Sequence, residues 1–353
     1  MKTIVKSFGT HKNINYDEIF IEKENEFIIS FSDLGARINS WQILNKEGVF
    51  ESITLGFDHA THAFEGAGYY YGATIGRVAG RIAHGQFELE GKKYALPTND
   101  GEHHLHGGAN SFDLRKWDYT IKESDDQVVV IFEILDKAGT NGYPGNLRVQ
   151  VTHTITKLNE WSISYKAETD ETTLFNPTNH VYFNLNGTVS DTIENHVFKL
   201  NASHYLPVDG DNLPLGEKAT VEGTAFDLRS GRKFGDLLGT GDSQFNIHQG
   251  YDHPFVLGQT DTYQGAIRVP EKNRTLYFRT EEPIVVIYTQ NYTPDKMKIW
   301  GQDLQRYAGF TLETQREPDA INHADFSSII LEKEQVYESQ TSYWLNITDK
   351  GVS

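Results

Sequence analysis

At 353 residues and 40.0 kDa the chain is long enough to bury a sizeable core, and 38% hydrophobic with 23% charged residues is the balance of a folded protein, not a disordered one. Acidic residues outnumber basic ones 49 to 32, and the formal charge of −17 repels phosphate backbones and anionic lipid, which argues against nucleic-acid and membrane-surface partners. The complete lack of Cys removes disulfides, thiolate nucleophiles and Cys-type zinc sites, and fits a reducing, cytoplasmic location.

The N-terminal MKTIVKSFGTHKNINYDEIF has no continuous apolar stretch before a small-residue cleavage site, so no signal peptide is expected. No run of about 18 apolar residues suggests a membrane span. From there the dominant pattern is period-two alternation. FIISFSD at 27–33 turns at Gly35 into ARINSWQIL at 36–44. QFELEGKKYAL at 86–96 reads as a hairpin, with Phe87 and Leu89 before a turn at Gly91 and Tyr94 and Leu96 after it. DQVVVIFEIL at 126–135 reads as a strand with a buried centre, and LRVQVTHTI at 147–155 alternates cleanly. EWSISYKAE at 160–168 puts Trp161, Ile163 and Tyr165 on one face, and PIVVIYTQNY at 283–292 is a further apolar strand. Many short strands separated by Gly, Asn and Asp, with no helix longer than a few turns, predict an all-β antiparallel sandwich. Without a linker or a fixed-period repeat, residues 1–353 read as one domain.

Several segments offer chemistry. EHHLHGG holds His103, His104 and His106. Adjacent His103 and His104 would point to opposite faces of a strand, so a metal site is not expected here and both read as loop residues. His106 precedes a glycine pair, where backbone can approach a ligand. NPTNHVYFNLNG at 176–187 sets Asn176, Asn179, His180 and Asn184 among Tyr182, Phe183 and Leu185, and polar groups in an apolar strand must be paired or functional. GYDHPF at 250–255 supplies Asp252 in what reads equally as a turn. GFTLETQ at 309–315 reads as a strand with Thr311 and Glu313 on one face, which solvent exposure alone would explain. GRVAGRIAHG at 76–85 supplies Arg77 and Arg81, and its glycines match no phosphate-binding spacing.

Each segment alone is weak; their order carries the signal. GRVAGRI, HHLHGG, NPTNHVYFNL, GYDHPF and GFTLETQ, in that sequence, closely resemble the successive signature segments of the aldose 1-epimerase (galactose mutarotase) family. The resemblance runs from DLGARINSW, through NGYPGNLRVQVT and LPVDGDNLPLG, to PDAINHADFSSIIL, which is nearly the whole chain. It implies a large antiparallel β-sandwich of the galactose mutarotase type with a sugar held in an open cleft, as a monomer or a homodimer. Carried over residue by residue, it implies Glu313 as general base, His180 as general acid, and Arg81, His106 and Asp252 as sugar contacts. Gly80 and Val286 depart from the pattern: many relatives carry Asn and Gln there, and both changes remove a polar contact to the sugar.

The chemistry suits those residues. A cyclic aldose changes anomer by opening and reclosing, so one group must take the proton of the anomeric hydroxyl while another protonates the ring oxygen. No cofactor, metal or covalent intermediate is required. On this reading Glu313 should be ionised and not deeply desolvated, and His180 should be charged, its pKa raised by a neighbouring carboxylate. The resemblance implies a free aldohexose such as galactose or glucose as the substrate. Rival readings are a hexose-6-phosphate epimerase, which needs an Arg or Lys cluster for the phosphate, a disaccharide (maltose) 1-epimerase, and a non-catalytic carbohydrate-binding protein.

Overall fold

The computed structural model describes residues 1–292 and 297–347. Three antiparallel sheets organise the chain. The first is a meander of Lys2–His11, Ile14–Lys23, Phe27–Ser32, Arg37–Leu44 and Phe50–Ser52, each strand paired with its sequence neighbour. The second has nine strands, and its centre runs Gln127–Asp136, Leu147–Thr156, Glu160–Thr169, Val336–Ile347, Arg274–Thr280. The third, in spatial order, is Ala219–Thr220, Ala202–Tyr205, Asp252–Leu257, Ile284–Tyr288 and Glu313–Gln315. Among the described residues α-helix is confined to Ala60–Glu65 and Ser243–His248. The second is started by Asp242, whose carboxylate accepts from the amides of Gln244 (3.0 Å) and Phe245 (3.1 Å).

The alternation in the sequence is the alternation of burial. Leu147, Val149, Val151, His153 and Ile155 turn inward from one strand, and Trp161, Ile163, Tyr165 and Ala167 from the next. They meet the inner face of the first sheet. Trp161 lies 6.3 Å from Phe31 and 6.0 Å from Trp41, ring centre to ring centre, and Tyr343 stacks on it at 4.9 Å. Phe255, Val285 and Ile287 of the third sheet join the same apolar cluster, so the sheet that carries the site rests on the main core. Burying each such side chain contributes roughly 1.5–3 kcal/mol. His153 sits inside this cluster and is structural: its Nδ1 accepts from Trp161 Nε1 (3.1 Å) and its Nε2 donates to the Ala36 carbonyl (3.1 Å). Burial holds it neutral, its pKa pushed down to about 3.

Candidate active site

The register of the third sheet builds the floor of an open cleft. Asp252 stands opposite Tyr288 and Pro254 opposite Val286; Val286 in turn stands opposite Glu313. Directly opposed residues of an antiparallel pair share a face. On the far side of Glu313, Tyr182 pairs with Thr311. Continuing that register by two residues brings His180 opposite Glu313. The floor is therefore two rows, one pleat apart: His180, Glu313, Val286, Pro254, and Tyr182, Thr311, Tyr288, Asp252. Every one of these except Thr311 lines a single cleft of about 300 Å³.

GFTLETQ is not one continuous strand. Phe310–Thr311 pairs with Tyr182–Phe183, and Glu313–Gln315 pairs with Ile284–Val286, so the chain changes partner at Leu312. Thr311 and Glu313 still share a face, and Thr311 Oγ1 donates to Glu313 Oε1 at 2.9 Å. With strands on both sides, Glu313 is 4% exposed rather than solvent-facing. Asp252 likewise opens a strand, not a turn.

The wall comes from a short pair in which Leu105 stands opposite Arg81. His106 follows in a left-handed conformation (φ 51°), and a Cβ on Gly107 would lie 1.9 Å from the Gly76 carbonyl oxygen, so only glycine admits this close approach. The Gly80 amide donates to His106 Nδ1 (3.2 Å), which leaves Nε2 as the protonated nitrogen. The rings of His106 and His180 meet edge to face at 5.4 Å, and Tyr70 covers both. Arg81 donates to Asp100 (2.8 Å), and Asn212 donates to Asp252 (2.8 Å). Donor atoms of His106, His180 and Glu313 lie within 4.8 Å of one another, a spacing that would also admit a metal ion on the same atoms that proton transfer would use.

Electrostatically the site reverses what the sequence suggests. Burial pushes the Glu313 carboxyl up to about 8, with the Thr311 hydrogen bond opposing, nearby Asp252 adding and Arg81 opposing. Burial also pushes His180 down to about 3, although its Nε2 lies 3.4 Å from Glu313 Oε1. Near neutral pH the two groups keep one proton between them, on the carboxyl side, and are not an ion pair. The loss of water around both groups outweighs their mutual attraction. His106 is held well below the ordinary histidine range, first by burial and then by its neighbours His180 and Arg81. Asp252 is raised by burial, with Arg81, His248 and Asn212 opposing.

A carboxyl that keeps its proton to higher pH when folded stabilises the fold fully below its unfolded pKa, about 4.3, and loses that contribution as pH rises toward 8. Glu313→Gln removes the penalty. It should raise the melting temperature at pH 8 by several degrees, with the difference shrinking to nothing near pH 4, as read by thermal unfolding across pH.

All five expected residues, Glu313, His180, Arg81, His106 and Asp252, line this cleft, as do Gly80 and Val286. His103, His104 and Arg77, from the same motifs, do not. His104 belongs to a short strand, not a loop; it is buried and bonded to Tyr143 Oη (2.9 Å) and the Pro97 carbonyl (2.7 Å). His103 accepts from the His84 amide (3.1 Å). Arg77 is buried in a network of its own with Asp136. Sequence reading missed Tyr70, Tyr288, Asn212 and Gln315, which also line the cleft. Gln315 had a signal, since it lies two residues beyond Glu313 on the same face; its Oε1 is buried without a partner among the described residues.

The fold is an antiparallel β-sandwich whose open cleft sets a carboxyl beside an imidazole, ringed by groups suited to hydroxyls, and its relatives place it among the isomerases. Residues 17–344 match the family model for aldose 1-epimerase. The chain is 35% identical over 338 residues to a galactose mutarotase of Bos taurus, covering 94% of both, and 34% identical over 327 residues to an aldose 1-epimerase of Haemophilus influenzae, covering 91% of this chain and 93% of that one. The crystal structure of a galactose 1-epimerase from Lactobacillus acidophilus superimposes with a TM-score of 0.87 at 29% identity, covering 98% of each chain. The chain belongs to the aldose 1-epimerase family. No helix among the described residues is long and apolar enough to cross a membrane.

Proposed function

We propose that this chain, acting as one domain, interconverts the α and β anomers of a free aldohexose such as galactose or glucose, with Glu313 as general base and His180 as general acid. The observation that carries the reading is the pair itself: a carboxyl and an imidazole 3.4 Å apart, side by side on the floor of an open cleft. Carbon 1 of a pyranose bears both oxygens that must exchange protons, so two groups this close can serve it together. In the reacting form the shared proton sits on His180. Glu313 takes the proton of the anomeric hydroxyl, the bond from C1 to the ring oxygen breaks as the C1 carbonyl forms, and His180 protonates the departing ring oxygen. The aldehyde turns about the C1–C2 bond, and the same steps run backward on its other face. Each assisted proton transfer is worth ~10²–10⁴-fold in rate. Arg81, His106 and Asp252 bind the remaining hydroxyls, and such positioning supplies much of the rest. Arg81 is the one Lys or Arg lining the cleft among the described residues and is already paired with Asp100, which favours an uncharged sugar over a hexose phosphate. The Cys-free sequence supports a cytoplasmic setting.

Polarimetry tests this. Freshly dissolved α-galactose, α-glucose and α-maltose should reach their equilibrium rotation faster with protein than without, and the ranking names the substrate. A response confined to glucose 6-phosphate would transfer the reading to a phosphorylated hexose, and sugar binding without any acceleration would make the chain a binding protein. On this reading the raised Glu313 pKa predicts a pH dependence. The pair carries its one proton below about 8 and loses it above, so kcat/KM, corrected for the spontaneous rate, should be level from about pH 5 to 7 and fall as pH rises through 8. A profile that climbs through pH 8 would mean that the fully deprotonated pair is the active form.

A further inference from the structure

The cleft does not end at its wall. A second compartment of about 390 Å³ opens beyond it, and Arg81, Asp100, Asn212 and Tyr292 line both. The join lies away from the acid–base pair. Asn212 donates to Asp252 (2.8 Å), and Asp252 belongs to a strand two places across the sheet from that of Glu313, about 10 Å at the usual strand spacing. The tight loop that carries Asn212, residues 208–214, is closed by a bridge between Val208 and Pro214 and also lays Gly210 and Asp211 along the compartment. It is part of the LPVDGDNLPLG segment, to which the chemistry at C1 gives no role. Asp100, Glu102 and Asp211 make the lining acidic, and its one Lys or Arg among the described residues, Arg81, is already paired with Asp100 (2.8 Å), so the compartment repels anions. Two polar atoms there are buried without a partner among the described residues: Asn212 Oδ1, and Nε2 of His248, a residue 5% exposed. Unpaired buried polar atoms are costly, and a hydroxyl can both donate and accept. Tyr292, 58% exposed at the join, adds a flat ring with an apolar face and a polar tip.

Resting on the acid–base reading above, we infer that this compartment is a second sugar site: it holds an uncharged hexose linked through O4 of the sugar whose C1 reacts. A ring with C1 at Glu313 and a hydroxyl on Asp252 turns the carbons farthest from C1 toward the join, and of these C4 is directly across the ring from C1. A unit attached at O4 therefore leaves the cleft where the second compartment begins, and its hydroxyls meet His248 and Asp211. A unit attached at O2 starts instead on the carbon bonded to C1 and crowds the reacting groups.

Exchange NMR between the α and β anomeric protons at equilibrium gives kcat/KM for glucose, for maltose (linked through O4) and for kojibiose (linked through O2), with spontaneous rates subtracted; galactose and its O4- and O2-linked galactobioses are run beside them. In the wild-type protein the O4-linked disaccharide should fall within about tenfold of its parent hexose, and the O2-linked one at least about tenfold lower again. Gly210→Trp fills the compartment: Gly210 lies outside the left-handed region and a Cβ there meets nothing within 4 Å, so the new side chain enters without strain. It should lower kcat/KM for the O4-linked disaccharide by about tenfold or more and leave the free hexose within about twofold. His248→Ala, which removes one hydrogen-bonding group, should act in the same direction by about three- to tenfold and serves if the Trp variant does not fold. An O4-linked disaccharide turned over no better than the O2-linked one overturns the second site while leaving the mutarotase reading intact. So does a disaccharide-to-hexose ratio that neither variant moves. If no free hexose responds, it is the mutarotase reading that fails, and this inference with it.

Discussion

Glu313→Gln and His180→Asn should each lower kcat/KM for a free aldohexose by about 10³, within the ~10²–10⁴ range of a single assisted proton transfer, while the fold remains intact. Glu313 contributes a carboxyl that Gln matches in shape but that cannot take up a proton. Its neighbours would still be served, since Thr311 Oγ1 can donate to the amide oxygen as it does to Glu313 Oε1. His180 has no hydrogen bond at its buried Nδ1 among the described residues, so its loss removes chemistry rather than a structural tie. The two groups lie 3.4 Å apart and would serve the same C1, and groups that act as a unit are not additive. The double variant should therefore be about as slow as the slower single one, and near-normal rates in either single variant would reassign the pair. Circular dichroism would verify that the variants are folded.

The largest effect on stability should come from Arg77→Met. Arg77 is 1% exposed. Its guanidinium donates to the Asp136 carboxylate (2.5 Å) and carbonyl (3.1 Å), to the carbonyls of Lys137 (3.2 Å), Pro144 (2.6 Å) and Gly145 (2.9 Å), and to Thr173 Oγ1 (3.0 Å). Removing it strips several buried acceptors at once and leaves Asp136, 3% exposed in its side chain, to Arg115 alone. Breaking a buried pair on one side costs about 3–5 kcal/mol, because the remaining charge is buried without full compensation. The urea midpoint should fall accordingly, and Arg77→Lys should recover little, since an ammonium has three donors and no planar fork. A loss below about 1 kcal/mol would mean that the network rearranges around the gap. The site feels this network indirectly: the Arg77 carbonyl accepts from the Asn176 amide at the start of the segment that carries His180.

These two variants separate what looked alike in the sequence. Arg77 and Arg81 occur four residues apart in one glycine-rich segment, and nothing local distinguishes them. The fold sends one into a buried knot of carbonyls and the other to the cleft wall. The same holds for the three histidines of EHHLHGG, where His104 packs against Tyr143 and only His106 reaches the cleft.

Period-two alternation was sufficient for the all-β architecture, because in a strand it states which side faces the core; Leu147 to Ile155 and Trp161 to Ala167 point inward as their spacing requires. The order of five short motifs was sufficient for the family, and for five residues that meet in one cleft. Three features needed the tertiary structure. The chain changes partner at Leu312, so a glutamate that its own strand would leave in solvent is enclosed from both sides. That enclosure reverses the protonation expected of Glu313 and His180, because the desolvation of a charge depends on the whole surround and not on the neighbouring residue. And the row from His180 through Glu313 to Val286 joins residues more than a hundred positions apart, through strand registers that no local pattern records.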